Sequence, residues 1–426
     1  MIDSLNFIDL FAGAGGLSEG FIRAGYTPLA HIEMDKYACD TLKTRAAFHW
    51  LKSQNKLSIY EKYLREKQGK EDGSKLWQQV PAEVINTVIQ ATIGEETINN
   101  IFSRLDNLIR DEHIDVIIGG PPCQTYSRAS FKSRKKDGKK DSRHELYKYY
   151  VKFLERYQPT MFVFENVTDF SSADKGNVLD DFKNRVKQAG YEMDSKKLIA
   201  SKHGVLQDRP RLIFVGWKKE GENGDSTTFR YPDLEEEENP YQVLKDLFFD
   251  LPKRQANEGA LHNFVDYTKP LSDMKYLQKF GIRGTFEFTT QHITRFHNEK
   301  DLKIFEIAIN LLLSSGTRLK YTNLPDDLQT HENKGAYLDR FKVVDPRGFS
   351  HTVTAHIAKD GIHYIYPDLN QIRSISIREA ARIQSFPDDY YFEGSRSSAF
   401  KQIGNAVPVL LAEKIAREIK KNVYKD

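Results

Sequence analysis

The run Ile114-Asp115-Val116-Ile117-Ile118, stopped by Gly119-Gly120-Pro121-Pro122 and followed by Cys123-Gln124, constrains this chain more than any other stretch. A short β-branched apolar run reads as a buried strand. Two glycines and two prolines end it in a stiff, non-helical turn. Such a turn either presents Cys123 for chemistry or leaves it as a small apolar filler in a loop. Cys39 is the only other cysteine. Neither a disulfide scaffold nor a metal site is expected, and a reducing cytoplasm suits the chain.

The same plan recurs on either side. Asn6-Phe7-Ile8-Asp9-Leu10-Phe11, then Ala12-Gly13-Ala14-Gly15-Gly16, then Leu17–Phe21 read as strand, glycine-rich turn and helix. Small residues there let backbone N–H groups approach a ligand at the positive end of a helix. The spacing is not that of a dinucleotide fingerprint, whose third glycine would fall on Ser18, and no P-loop lysine follows. The next strand, Pro28–Ile32, ends in Glu33-Met34-Asp35. Glu33 lies about as far beyond the glycines as an acid that meets a ribose hydroxyl, and Met34 would lid an adenosine-containing cofactor. The alternative is that Glu33 and Asp35 cap the helix that starts near Lys36.

Met161-Phe162-Val163-Phe164 ends at Glu165-Asn166-Val167, which sets a carboxylate on the ligand-binding edge or else at a helix cap. In Gln207-Asp208-Arg209-Pro210-Arg211, two arginines two apart in extended chain would point the same way and suit a phosphate or an anionic intermediate. The alternation of strand and helix through residue 217 predicts an α/β fold with a mostly parallel, doubly wound sheet.

The rest of the chain is less regular. Residues 45–96 read as a polar helical stretch. The loop from Arg128 to His144 sets Lys132, Arg134, Lys135, Lys136, Lys139, Lys140 and Arg143 against only Asp137 and Asp141. It is either a solvated loop or, beside a candidate nucleophile, a place for phosphates. With 426 residues and a net charge of +3, any nucleic-acid signal must be local. No apolar run approaches the roughly 18 residues of a membrane span, and no signal segment is expected. Glu235–Glu238 with Asn239-Pro240 reads as a linker. From Tyr241 to about Phe341, aromatic and basic residues mix without period, Arg283, Phe286, Phe288, His292, Arg295, Phe296 and His297 among them. That fits a second, irregular domain able to touch a polyanion, or a plain structural insert. Ser376-Ile377-Arg378-Glu379 is a capping box for a helix through Ile383. Gln402–Pro408 opens an amphipathic helix with Leu411, Ile415 and Ile419 on one face.

Taken together, these segments resemble the DNA (cytosine-5) methyltransferases. The signatures are Phe7–Gly16, Gly119–Gln124, Phe164–Val167, Gln207–Arg211, Arg378–Arg382 with Phe386-Pro387-Asp388, and Gln402–Pro408, in the family's order. The resemblance covers 1–217 and about 345–426. It implies a Rossmann-like S-adenosylmethionine-dependent methyltransferase domain, 1–217 plus 402–426. A smaller, irregular target-recognition domain would be 218–401, variable over about 218–345.

The resemblance also implies roles. Cys123 looks like the nucleophile that adds to carbon 6 of cytosine, and Glu165 like the group that bonds the ring nitrogen and amine. Arg209 and Arg211 look like base and phosphate anchors. Asp9, Phe11, Ala12, Gly13, Gly15, Gly16, Glu33, Met34, Pro122, Leu146, Asn405 and Val407 would surround S-adenosylmethionine. Gln124, Ser127, Arg128, Lys132, Arg134, Lys135 and Arg143 would touch DNA. No metal is implied. The acid that the family sets against the adenine amine is not evident between 50 and 105, where Glu95 is a candidate. Ser376 stands where threonine is usual. The implied partners are double-stranded DNA and, genetically, a restriction endonuclease; a cytoplasmic monomer is expected. A tRNA-modifying relative and a non-catalytic DNA-binding module of the same fold are the alternative readings.

Overall fold

The computed structural model describes residues 4–67, 73–122, 145–219, 230–329 and 337–423. The first half supplies β1 (Asn6–Leu10), β2 (Thr27–Glu33), β3 (Val88–Gln90), β4 (Val116–Gly119), β5 (Met161–Asn166), β6 (Tyr191–Ile199), β7 (Gln207–Asp208) and β8 (Pro210–Lys218). Between them lie α1 (Gly16–Arg23), α2 (Lys36–Ser53), α3 (Leu57–Glu66), α4 (Ile98–Ile109), α5 (Leu146–Tyr157) and α6 (Asn177–Gln188). All the strands except β7 form one sheet, in the order β3-β2-β1-β4-β5-β8-β6. The pairs from β3 to β5 are parallel, and β8 runs antiparallel between β5 and β6. The order turns back at β1, which touches both β2 and β4. In an open α/β sheet that reversal opens the crevice where ligands bind.

The central strands are apolar almost throughout because both faces of the sheet are covered. Side chains alternate between two cores, as a period of two requires. Phe7, Val116, Ile118 and Val163 enter one core. Ile8, Leu10, Ile117 and Phe164 enter the other. The second core is rich in rings: Phe164 lies 4.5 Å from Phe182 and 5.7 Å from Phe214 between centroids.

The second half adds the antiparallel pair β9 (Phe264–Asp266) and β10 (Phe288–Thr290), then α7 (Glu299–Ser315) and β11 (Ser350–His351). It closes with α8 (Ile377–Ile383), α9 (Arg396–Asn405) and α10 (Val409–Val423). The capping box at Ser376 and Glu379 forms as its spacing predicts. Leu411, Ile415 and Ile419 are buried in the first core, beside α1 residues Leu17 and Phe21. Gln402–Asn405 end one helix, and the amphipathic helix starts only after Pro408.

Two expectations change. Glu235–Glu238 is no free linker: Lys202 pairs with Glu236 at 2.8 Å and Lys414 with Glu237 at 2.7 Å, fastening the run to the segment after β6 and to α10. Residues 45–96 contain β3 and a small core in which Phe48, Tyr60, Leu64 and Leu76 pack with Phe288 and Tyr391.

Candidate active site at the reversal of the sheet

Leu10 pairs with Gly119, and Gly119 with Phe164, so the residues that follow β1, β4 and β5 leave the sheet side by side. A Cβ at Gly120 would stand 2.6 Å from Glu165 Oε2, so only glycine lets the turn lie against that carboxylate. Asn166 Nδ2 donates to the Pro121 carbonyl at 3.3 Å and ties the turn to β5. Pro122, half-buried, is the last described residue of this turn. Cys123, Gln124, Ser127, Arg128, Lys132, Arg134, Lys135 and Arg143 lie outside the described residues.

Arg211 Nε pairs with Glu165 Oε1 at 2.7 Å, with the two side chains 11% and 14% exposed. Strand pairing causes this: Glu165 ends β5, and Arg211 lies near the start of the antiparallel β8. In so little water, a charge-assisted bond fixes the carboxylate's direction. Arg209 takes a different place from Arg211. Its side chain is 1% exposed. Its Nη1 donates to the Val353 carbonyl and its Nη2 to that of Gly404, the latter at 3.2 Å. Arg209 sits in the break between β7 and β8, so the alternation that would align it with Arg211 does not carry through. It braces the corner.

On the other side of the reversal, Phe11, Gly13 and Gly15 take φ of 58°, 55° and 79°, curling the chain after β1. Glu33 Oε2 accepts from Gly13 N–H at 2.8 Å, while Oε1 accepts from Met34 and Asp35 N–H at 2.8 and 2.7 Å. Burial raises the Glu33 pKa, and these donors oppose the rise. Asp35 is the acid that caps α2, accepting from Tyr37 and Ala38 N–H. A Cβ at Gly13 would meet nothing within 4 Å, so the turn faces open space. Beside it Met34 is 59% exposed. An open turn, a fixed carboxylate and an exposed thioether fit an adenosine bearing a ribose diol.

The C-terminal residues join this side. A Cβ at Gly16 would lie 2.3 Å from the Val407 carbonyl, so the two segments touch. Ala12, Gly15, Gly16 and Val407 are buried, Asn405 is exposed, and Leu146, at the start of α5, is half-buried. The Tyr390 hydroxyl donates to the Ala14 carbonyl across 376 residues, closing the turn from behind. Local sequence carries no sign of that contact. The Glu95 carboxylate takes Lys152 Nζ at 3.1 Å and the Tyr149 hydroxyl at 3.2 Å, both on α5.

Asp9 lies beneath the turn. It is buried and accepts from the Ser18 hydroxyl. Burial, with Glu33's charge adding to it, pushes its pKa up to about 8. The folded chain therefore holds this proton more tightly than the unfolded chain does. The stability it contributes is full below the unfolded value and is lost as pH rises through about 8. Between pH 6 and 8 the wild type should lose at least about 1 kcal/mol relative to Asp9→Asn. Urea unfolding of both proteins at the two pH values checks this; parallel pH profiles would refute it.

The family of C-5 cytosine-specific DNA methylases matches residues 5–68 and 75–421. Type II methyltransferase M.Bpa9945I of Bacillus paralicheniformis is 38% identical over 445 residues, covering 97% of this chain and 98% of its own. Type II methyltransferase M1.HphI of Haemophilus parahaemolyticus is 29% identical over 425 residues, covering 98% and 87%. Among solved structures, a protein described as a prophage-encoded DNA modification methyltransferase of E. coli aligns with a TM-score of 0.60. That alignment has 24% identity and covers 99% of this chain and 100% of that one. The methyltransferase EhMeth of Entamoeba histolytica follows at 0.51 and 14%, covering 100% and 99%.

Proposed function

The chain belongs to the C-5 cytosine-specific DNA methylase family, as a DNA cytosine methyltransferase of the restriction–modification kind, and from that premise we propose how its residues share the work. Residues 1–217 with 402–426 form the catalytic half and 218–401 the target-recognition half, variable over about 218–345. The enzyme acts as a cytoplasmic monomer on double-stranded DNA, and a restriction endonuclease is its genetic partner.

The glycine turn, Glu33, Met34, Asn405 and Val407 hold S-adenosylmethionine. Bound there, it supplies an electrophilic methyl group. The cytosine is turned out of the duplex, at a cost of a few kcal/mol, to reach the residues at the reversal of the sheet. The Cys123 thiolate adds to carbon 6, and the electron pair of the 5,6 double bond becomes available at carbon 5. Glu165 bonds the ring nitrogen and offsets charge arising there, and Arg211 holds Glu165 in place. After methyl transfer, the carbon-5 proton leaves to a base and the thiolate is expelled, restoring the ring.

One observation carries this reading: the Glu165–Arg211 pair lies against Gly120, three residues before Cys123 in the chain. Purified enzyme offered duplex DNA and tRNA with methyl-labelled S-adenosylmethionine should label DNA, at cytosine carbon 5, and leave tRNA unlabelled. Label in tRNA alone would overturn the assignment.

A further inference from the structure

Phe296 is 65% exposed, yet both of its neighbours are fixed. Arg295 is buried, and its Nη1 and Nη2 donate to the carbonyls of Lys359 and Ile357 at 2.5 and 2.9 Å. His297 is buried, with Nε2 2.8 Å from Ser374 Oγ and its ring centroid 4.7 Å from that of Phe305. No helical turn occurs here, so adjacent side chains alternate in direction. Two inward neighbours hold the ring outward. A stray surface phenylalanine is ordinary; one pinned outward by two buried neighbours is preorganised for contact.

A second observation lies beside it. Arg396, the first residue of α9, forms no ion pair and no side-chain hydrogen bond among the described residues. Its Nε and that of Arg295 are both buried without an acceptor. Burial first, and then the Arg396 charge, lower the Arg295 pKa, while Asp360 opposes them. Two neighbouring guanidiniums, neither in an ion pair among the described residues, leave a place for an anion.

The stretch 350–359 joins this patch to the catalytic edge. It begins at β11, which pairs with Gln207–Asp208. It passes Val353, whose carbonyl receives Arg209, and ends at the carbonyls that hold Arg295. Ten residues reach at most about 36 Å, roughly one turn of a duplex. One short stretch thus links the patch to the corner beside the catalytic edge.

We propose that Phe296 and Arg396 form a DNA contact flanking the active site, in which the ring packs against a base and the guanidinium takes a neighbouring phosphate. This rests on duplex DNA being the substrate. Aromatic packing on bases weakens little with salt, whereas each phosphate contact adds about one to the slope of log affinity against log salt.

The test measures binding of a duplex carrying the sequence that bisulfite mapping shows the enzyme to modify, over a salt series. Phe296→Ala should weaken binding by roughly fivefold or more with the salt slope unchanged. Arg396→Gln should lower the slope by about one. Phe296→Trp should bind like the wild type, with its indole emission quenched by DNA. Unchanged unfolding midpoints for all three variants would show intact folds. Wild-type affinity in Phe296→Ala, an unchanged slope in Arg396→Gln, or an unquenched indole would overturn the proposal. If the wild type itself binds no duplex, the substrate reading fails instead.

Discussion

Cys123→Ser is expected to lower methyl transfer to duplex DNA by at least about 10³-fold, the order of loss when a covalent nucleophile is removed, while DNA binding persists. Carbon 5 of cytosine is too weak a nucleophile to take a methyl group unaided. Addition at carbon 6 turns the ring into an enamine-like species, and sulfur is suited to both the addition and the later departure. A serine hydroxyl has no thiolate-like anion to offer near neutral pH, whereas a thiol with a free pKa of about 8.5 needs only modest help. The turn that leads to Cys123 is built for the purpose: Gly120 admits Glu165, and Asn166 holds Pro121. DNA carrying 5-fluorocytosine at the target sharpens the test. Fluorine cannot leave as the proton does, so the wild-type enzyme should stop at the adduct and give a denaturation-resistant complex. The serine variant should give none. An undiminished rate, or an adduct in the variant, would remove Cys123 from the mechanism.

The strand–turn units that carry this chemistry were legible because each is local. A β-branched run ended by glycine, proline or an acid declares both a strand and the loaded end of it, as at Gly119 and Glu165. The α/β class with a mostly parallel sheet follows from several such units in succession; the strand order does not. What stayed hidden depended on partners far away in the chain. Arg209 and Arg211 look equivalent in sequence, yet a break after β7 sends one to Val353 and Gly404 and leaves the other on Glu165. Glu33 suited a ligand or, with Asp35, a cap; only Asp35 meets the N–H groups of α2. β3 has three residues, too few to show a period. Glu95 followed from the search for an acid, and its meeting with a tyrosine and a lysine of α5, more than fifty residues on, has no local sign.

The stretch 45–96 shows the same limit and gives the second large effect: Lys67→Met should destabilise the fold by about 3–5 kcal/mol. Lys67 Nζ lies 2.7 Å from Glu393 Oε2, with the two side chains 1% and 2% exposed. Glu393 Oε1 accepts from the Thr44 hydroxyl at 2.8 Å and the Tyr63 hydroxyl at 2.5 Å. The rings of Tyr63 and Tyr391 lie 4.6 and 4.7 Å from the ammonium. Two hydroxyls cannot replace a buried cation, so methionine would strand a carboxylate with no water to receive it. The double variant Lys67→Met with Glu393→Gln removes the stranded charge and should recover most of the loss, because the amide oxygen still accepts from a hydroxyl. Urea unfolding of the two single variants and the double variant gives the coupling directly. If the losses simply add, the pair is not a unit. If they couple, this stretch fastens residue 393, and through it the start of α9 that leads to Asn405, to α2 and α3. A polar segment that displays no chemistry of its own would then set the position of residues that do.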